Sequence, residues 1–211
     1  MHRIITLLVC VFTFMIANAQ YAGYKPLADM SAFRKEFMAT AQKTQTIKSD
    51  FIQEKNLSML NDKIISKGKF WFKKNNLVRI EYTHPFQYLM IMNQNNVYIK
   101  DGQKENKMSA KSNKLFQQIN KITVDCIQGT ALDNQDFNVK VFESPTAFLV
   151  EMAPVNKGLK EFFSNINITV GKKDYAVIKI DMIEPGGDNT AISFSNREIN
   201  NAIPDAIFAI K

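Results

Sequence analysis

The stretch that decides the fold is KGKFWFKKNNLVRIEYTHP, residues 67–85, which is typical of two strands joined by a tight turn. Apolar and polar residues alternate on either side of Asn75-Asn76, and this period of two indicates strands with one buried face. Asparagine tolerates the positive φ angles of a two-residue hairpin turn. One face of the predicted hairpin carries Phe70, Phe72, Val78, Ile80 and Tyr82. That face needs a core, a partner or a ligand to cover it.

Similar alternation recurs along the chain and predicts a meander of about eleven strands. We expect them near residues 46–60, 63–74, 77–83, 87–93, 96–101, 104–109, 136–143, 147–153, 164–171, 175–184 and 190–197. Residues 204–210 could add one last short strand. Because most connections have hairpin length, the strands are expected to form one strongly curved antiparallel sheet. The fold class is therefore mainly β with helices (α+β).

Two segments show helical rather than strand periodicity. Residues 27–44 place Met30, Phe33, Phe37 and Ala41 on one face. A second helix is expected to begin at an N-cap at Ser112 and to end at Gly129. The apolar stripe of this second helix consists of Leu115, Ile119, Ile122 and Cys126.

The N-terminus is typical of a cleavable secretory signal. His2 and Arg3 precede an apolar run over residues 4–16, and Ala17-Asn18-Ala19 forms an A-x-A cleavage site. The run is shorter than the about 20 apolar residues that a membrane-spanning helix needs. We therefore predict cleavage after Ala19, a location outside the cytoplasm, and one mature domain over residues 20–211.

Charge and cysteine content narrow the possible classes of protein. Only Cys126 follows the predicted signal, so no intramolecular disulfide is expected. The formal charge of +7 suggests a basic surface. Export and the lack of a compact Lys/Arg run argue against nucleic-acid binding. Attraction to anionic membrane surfaces and a merely solvated basic face both remain open.

The chain offers little material for catalysis. His84 is the only histidine after the predicted signal, which disfavours a histidine metal cluster and a Ser-His pair. Cys126 lies on an apolar helical stripe and is expected to be an inert buried thiol. No phosphate-loop, nucleophile-elbow or H-E-x-x-H motif occurs. We predict no catalytic residue, metal or cofactor, and a protein that is not an enzyme.

Apolar residues with flexible side chains are abundant instead. The chain contains ten methionines and sixteen phenylalanines. Leu89 and Ile91 alternate with Met90 and Met92, so the strand at 87–93 is apolar on both faces. Core packing explains any one of these residues, but a flexible set also suits a lipid cavity. We assign Leu89 and Ile91, with Phe51 and the hairpin's apolar face, to a predicted lipid-binding surface.

The order and spacing of several motifs resemble the LolA family of periplasmic carriers of outer-membrane lipoproteins. Its hairpin pattern is matched by Gly68, Phe70, Trp71, Lys73, Lys74, Asn76, Leu77, Thr83 and Pro85. Phe51-x-Gln53 and Pro204-Asp205-x-x-Phe208 agree as well. The resemblance implies an unclosed barrel whose concave side is capped by helices.

The resemblance also implies a function and its partners. The protein would be a monomer that shields acyl chains of lipoproteins between the inner and outer membrane. It would load from an inner-membrane ABC-type lipoprotein-releasing complex and unload at the outer membrane or a receptor there. The alternative is a lipid- or lipoprotein-binding sensor or assembly factor that does not shuttle cargo. Cargo could be a lipoprotein, a glycolipid or another acyl lipid.

A movable lid is the last implication of the resemblance. Leu115, Ile119 and Ile122 would fill the empty cavity and yield to cargo. In the family, an arginine after the second strand of the sheet, predicted here at 63–74, hydrogen-bonds the lid closed. Lys74 occupies that place here, and it keeps the charge while losing the planar fork of donors.

Overall fold

The computed structural model describes residues 21–60, 62–94, 96–109, 122 and 124–210. Its strands are β1 (Lys25–Pro26), β2 (Thr46–Leu57), β3 (Asp62–Lys73), β4 (Leu77–His84), β5 (Tyr88–Asn93), β6 (Asn96–Asp101), β7 (Lys104–Ser109), β8 (Phe137–Glu143), β9 (Ala147–Pro154), β10 (Asn165–Gly171), β11 (Val177–Ile183) and β12 (Asn189–Ile199). Its helices are α1 (Ser31–Lys43) and α2 (Lys157–Lys160), and residues 124–128 are also helical. Short 3-10 helices span Ala131–Asp133 and Asp205–Phe208.

The hairpin of β3 and β4 forms where its sequence predicts. Asn75 and Asn76 both adopt positive φ, of 76° and 60°, but Lys73 pairs with Leu77, so the turn has three residues, 74–76, rather than the two predicted. The register pairs Phe70 with Ile80 and Phe72 with Val78. Because directly paired residues share a face, the register places the predicted apolar set on one side of the sheet.

The strands form one twelve-stranded sheet in the order β1-β8-β9-β10-β11-β12-β2-β3-β4-β5-β6-β7. Every neighbouring pair is antiparallel. The two ends of this order, β1 and β7, are not joined, which confirms the predicted unclosed barrel with helices. β2 and β12 join the two halves of the chain at the middle of the sheet.

Two clusters of buried side chains cover the inner face of the sheet. The first packs α1, through Phe33 and Phe37, against β8–β10, where Met152 and Ile166 are fully buried. The second cluster belongs to β2–β6 and consists of Phe51, Phe70, Phe72, Val78, Met90, Met92 and Val97. In the second cluster, partly buried residues such as Ile80 and Tyr82 outnumber the buried ones, whereas buried residues predominate in the first. The inner face is therefore tightly packed at one end and looser at the other.

The C-terminal segment, residues 201–210, covers the outer face of β3–β6. Ile203 and the fully buried Phe208 pack there against Ile91 and Tyr98. The prediction of a last strand at 204–210 is wrong. Side chains of the sheet, such as Arg79 and Asn93, donate to backbone carbonyls of this segment, so no strand ladder is needed to satisfy them.

The remaining strand boundaries agree with the predicted ones within a few residues, and two further differences concern the start of the described chain. The short β1 pairs Lys25 with Glu143 of β8, and Leu27 N donates to the Val141 carbonyl at 2.9 Å. This pairing delays α1 to Ser31, whereas the sequence predicted a helix from residue 27. The predicted signal peptide, Leu115 and Ile119 lie outside the described residues.

Candidate functional site

A cavity of about 420 Å³ lies between the inner face of the sheet and the helices above it. β2, β3, β4, β11 and β12 form its floor, while α1, Ile122, Cys126 and Ile127 form its roof. The volume falls in the range of roughly 300–1,000 Å³ that is usual for small-molecule sites. Most of its lining is aliphatic or aromatic, so the site is suited to an apolar ligand.

Four of the predicted lipid-binding residues line this cavity: Phe51, Phe70, Ile80 and Tyr82. Phe72 and Val78 lie on the same face but are not among the cavity-lining residues, and they are only 3% and 1% exposed. They belong to the buried cluster against which the cavity residue Ile127 packs.

Leu89 and Ile91 lie on the opposite face of the sheet, which corrects the predicted assignment. Ile91 pairs with Arg79, and Leu89 pairs with Glu81, whereas the cavity residue Ile80 pairs with Met90. Leu89 and Ile91 therefore lie on the outer face, where they pack under the C-terminal segment. The methionines of β5 supply its inner face instead.

The sequence analysis did not identify much of the cavity wall. The unrecognised residues include Phe37 and Ala41 of α1, Ile47 and Ser49 of β2, Ile180 and Met182 of β11, and Ile192, Phe194 and Arg197 of β12. Alternation could have indicated Ile47 and Ser49, because they share a face with Phe51. The pairing of β12 with β2 spans more than a hundred residues, and no local pattern indicates it.

Gly68 allows the floor of the cavity to form. It pairs with Phe51 of β2, and a Cβ at Gly68 would lie 2.6 Å from the Phe51 ring and 2.2 Å from the Glu81 carbonyl oxygen. Such distances are shorter than real Cβ contacts. The Phe51 ring thus lies directly over the glycine and stacks edge-on to Tyr82 at 5.0 Å. The glycine in the hairpin motif is explained by this close approach.

Two ionisable groups in the lining are held neutral. Burial and the neighbouring Tyr88 raise the pKa of Tyr82 to about 12, and its hydroxyl donates to Gln53 Oε1 at 2.7 Å. Burial and, secondarily, the Asp125 carboxylate raise the pKa of the Cys126 thiol to about 12. At neutral pH these groups are uncharged, which suits an apolar ligand.

The predicted lid and latch are only partly described. Ile122 is buried and lines the cavity roof, and Gly129 ends this helical segment with a φ of 75°. The Lys74 Nζ donates over 3.4 Å to the Gln42 carbonyl, at the C-terminal end of α1. The described contact of Lys74 is therefore with α1, and the role of lid latch stays a prediction.

Within the described ranges, no three His, Cys, Asp or Glu side chains come together as a metal site. No helix in this part of the chain has both the length and the apolar character needed to cross a membrane.

Solved structures share this fold at low sequence identity. An uncharacterized conserved protein from Thermus thermophilus is 9% identical, with a TM-score of 0.53 over 84% of this chain and 93% of that one. MucB from Pseudomonas aeruginosa, solved with MucA, is 11% identical, with a TM-score of 0.52. That match covers 85% of this chain and 60% of the other. A LolA superfamily protein from Nitrosomonas europaea is 9% identical, with a TM-score of 0.45 and coverage of 84% and 97%.

A comparison with curated protein sequences finds no match. The pattern of the family described as outer membrane lipoprotein carrier protein LolA matches residues 42–211. This range begins at the end of α1 and contains every strand of the sheet except β1. Because the match extends over most of the chain, the protein belongs to the LolA family.

Proposed function

We propose that this protein is a periplasmic carrier that shields the acyl chains of lipoproteins between the inner and outer membrane. The observation that supports this function is the apolar cavity of about 420 Å³ between the helices and the inner face of the sheet. Membership in the LolA family agrees with it. The donor would be an inner-membrane ABC-type releasing complex, and the acceptor would be the outer membrane or a receptor there.

A carrier must release what it binds. Burying a methylene contributes roughly 0.8 kcal/mol, so a chain of about sixteen carbons could gain on the order of 12 kcal/mol. Retaining all of this would trap the cargo. Roof residues such as Ile122 and Phe37 are already buried without cargo, so a ligand that displaced them would lose part of its gain. We propose that this competition keeps transfer reversible.

Carriage rather than catalysis fits the chemistry of the lining. His84 is exposed at the end of β4 and is not among the cavity residues. Cys126 does line the cavity, but burial raises its pKa to about 12, so the thiol is a poor nucleophile at neutral pH. We propose that bound acyl groups remain chemically unchanged.

Co-purification from the periplasm tests the proposal directly. The protein would be isolated without detergent, and bound material would be identified by mass spectrometry of the intact complex. Acylated lipoproteins should accompany the wild-type protein and should move to outer-membrane vesicles when these are added. A matched preparation of Ile80→Asp, which places a charge on the cavity floor, should lose the lipoproteins. Wild-type protein that carries no acylated molecule would contradict the proposal.

A second candidate keeps the same cavity but not the shuttle. MucB was solved in complex with MucA, and by analogy this chain could bind a protein partner as a lipid-responsive sensor or assembly factor. The same preparation separates the two candidates. A sensor should retain a partner protein or free lipid and should pass nothing to outer-membrane vesicles. A carrier should empty into them.

A further inference from the structure

Among the described residues of the cavity wall, one buried polar side chain makes no hydrogen bond. Ser49 lies on the inner face of β2 between Ile47 and Phe51, and only 2% of its surface is exposed. Its hydroxyl oxygen is buried and makes no hydrogen bond to any described residue. An unsatisfied buried hydroxyl costs folding free energy, so the packing of the described residues around Ser49 does not favour a serine here. A ligand with a polar oxygen would satisfy it.

A β-bulge in β12 places an arginine opposite this serine in the strand pairing. The pairing of β12 with β2 shifts between Ser195 and Glu198, so Asn196 and Arg197 together lie opposite Ser49. Asn196 takes a left-handed φ of 50° to make the bulge. One extra residue reverses the alternation of side chains along a strand. Arg197 therefore joins the inner face and lines the cavity.

Hydrogen bonds to β11 and to the loop before it hold the Arg197 side chain. Its Nη2 donates to Asp174 Oδ2 at 2.9 Å, and its Nη1 donates to the Val177 carbonyl at 3.2 Å. The arginine side chain is 21% exposed, whereas that of Asp174 is 50% exposed. These contacts use two N–H groups of a guanidinium that carries five. The arginine can therefore donate to a ligand without losing its partners.

We propose that Ser49 and Arg197 form a polar anchor for the carbonyl end of an acyl chain. The chain would lie on the apolar floor, while its ester carbonyl, amide carbonyl or carboxylate oxygen accepts from the two side chains. This inference rests on the proposed function, because it assumes that the cavity binds acyl chains. It adds that the carbonyl end of the chain is recognised, and that Ser49 and Arg197 recognise it. Charge-assisted donors bind such oxygens more strongly than neutral ones.

A series of twelve-carbon ligands separates the anchor from the apolar cavity. Laurate carries a carboxylate, methyl laurate an ester carbonyl, and dodecane no oxygen. Each would displace a fluorescent apolar dye from the purified protein. The wild type should bind laurate on the order of tenfold more tightly than dodecane, because a hydrogen bond to a charged group adds to the apolar term.

Two variants and two matched controls test the residues. Ser49→Ala should weaken laurate and methyl laurate by about threefold to tenfold and leave dodecane unchanged. It should not lower the melting temperature, because the lost hydroxyl has no partner. Arg197→Met should weaken laurate more than methyl laurate. The controls are Ser195→Ala, exposed on the outer face, and Arg34→Met, which removes an arginine paired with Asp133 away from the cavity.

The outcomes distinguish the anchor from the carrier proposal. If all three ligands bind alike in the wild type and in both variants, the anchor is wrong while acyl carriage stands. If none of them binds, acyl carriage fails and the anchor fails with it. A triacylated lipopeptide in the same assay identifies the source of the carbonyl. If the lipopeptide binds more tightly than laurate, the natural ligand is a lipoprotein, and if it binds more weakly, the ligand is a free fatty acid. The anchor holds if Ser49→Ala weakens binding of whichever ligand binds more tightly.

Discussion

Both faces of the sheet carry apolar side chains around β5, but different elements cover them. On the outer face, Ile91 and Phe208 are 3% and 0% exposed beneath the C-terminal segment. On the inner face, Ile80 and Tyr82 remain partly exposed to a cavity of about 420 Å³. One face is completed by its own chain, whereas the other retains space. Apolar alternation therefore identifies surfaces that need cover, but it does not show which of them is a core.

The C-terminal segment is held on the outer face by hydrogen bonds as well as by packing. Lys73 Nζ donates to the Ile203 carbonyl at 3.1 Å, and Arg79 Nη1 donates to the Ile207 carbonyl at 3.2 Å. The Arg79 guanidinium also lies 5.5 Å from the Trp71 ring centroid. Each bond satisfies a carbonyl that a sheet would otherwise satisfy, so the segment is fixed without becoming a strand.

Removal of the Phe208 side chain from the outer face should have the largest effect. Phe208→Ala empties a fully buried position, and we expect a loss of about 3–5 kcal/mol in the free energy of unfolding. Urea denaturation measures it. Met59→Ala, at a side chain that is 94% exposed, serves as the control and should change stability by at most about 0.5 kcal/mol. A Phe208 variant as stable as this control would show that the outer face is not a core.

Isoleucines on opposite faces should give opposite results. Ile91→Ala should cost about 2–5 kcal/mol of stability and leave acyl affinity unchanged in the folded protein. Ile80→Ala should cost less stability, because the side chain is partly exposed, and should weaken acyl binding by about tenfold. Denaturation and dye displacement measure the two quantities on each variant.

Crosslinking sharpens the same contrast without relying on affinity. A photo-reactive residue at position 80 should capture acylated cargo, whereas one at position 79 should not, because Arg79 points to the outer face. Equal capture at both positions would refute the assignment of the faces.

A smaller loss is expected at the floor of the cavity. Gly68→Ala forces the new methyl group against the Phe51 ring and the Glu81 carbonyl, which should cost about 1–3 kcal/mol. Because the ring must move, acyl affinity should fall as well. Gly186→Ala is the matched control, since a Cβ there meets nothing within 4 Å. If both alanine variants unfold alike, the ring does not lie where the structure places it.

The smallest effect should come from Lys74. Its 3.4 Å bond to the Gln42 carbonyl is exposed, so Lys74→Leu should change stability by no more than about 0.5 kcal/mol. If this bond holds the roof down, cargo release to acceptor vesicles should slow by about threefold. Lys73→Leu provides the contrast, because Lys73 donates to the Ile203 carbonyl and to Asp205 of the C-terminal segment. This substitution should lower stability and leave cargo release unchanged. Release that is identical in both variants and the wild type would place the latch elsewhere.

Local patterns were sufficient for much of this molecule. Alternation around Asn75-Asn76 determined the hairpin and its apolar face, and helical spacing determined the buried Phe33 and Phe37 of α1. These features depend on residues close together in the chain, where side-chain period and turn geometry act directly. The family motifs depend on the same local features, and the predicted fold class was confirmed for that reason.

Only the tertiary structure decided what covers each face. Leu89 and Ile91 became core because a distant C-terminal segment packs over them, and no period within β5 contains that information. Arg197 entered the cavity because one extra residue in β12 shifts the pairing with β2, which reverses the side-chain alternation. Alternation specifies two faces of a strand from its sequence alone, but which face becomes core, cavity or surface depends on long-range contacts that form only when the sheet is assembled.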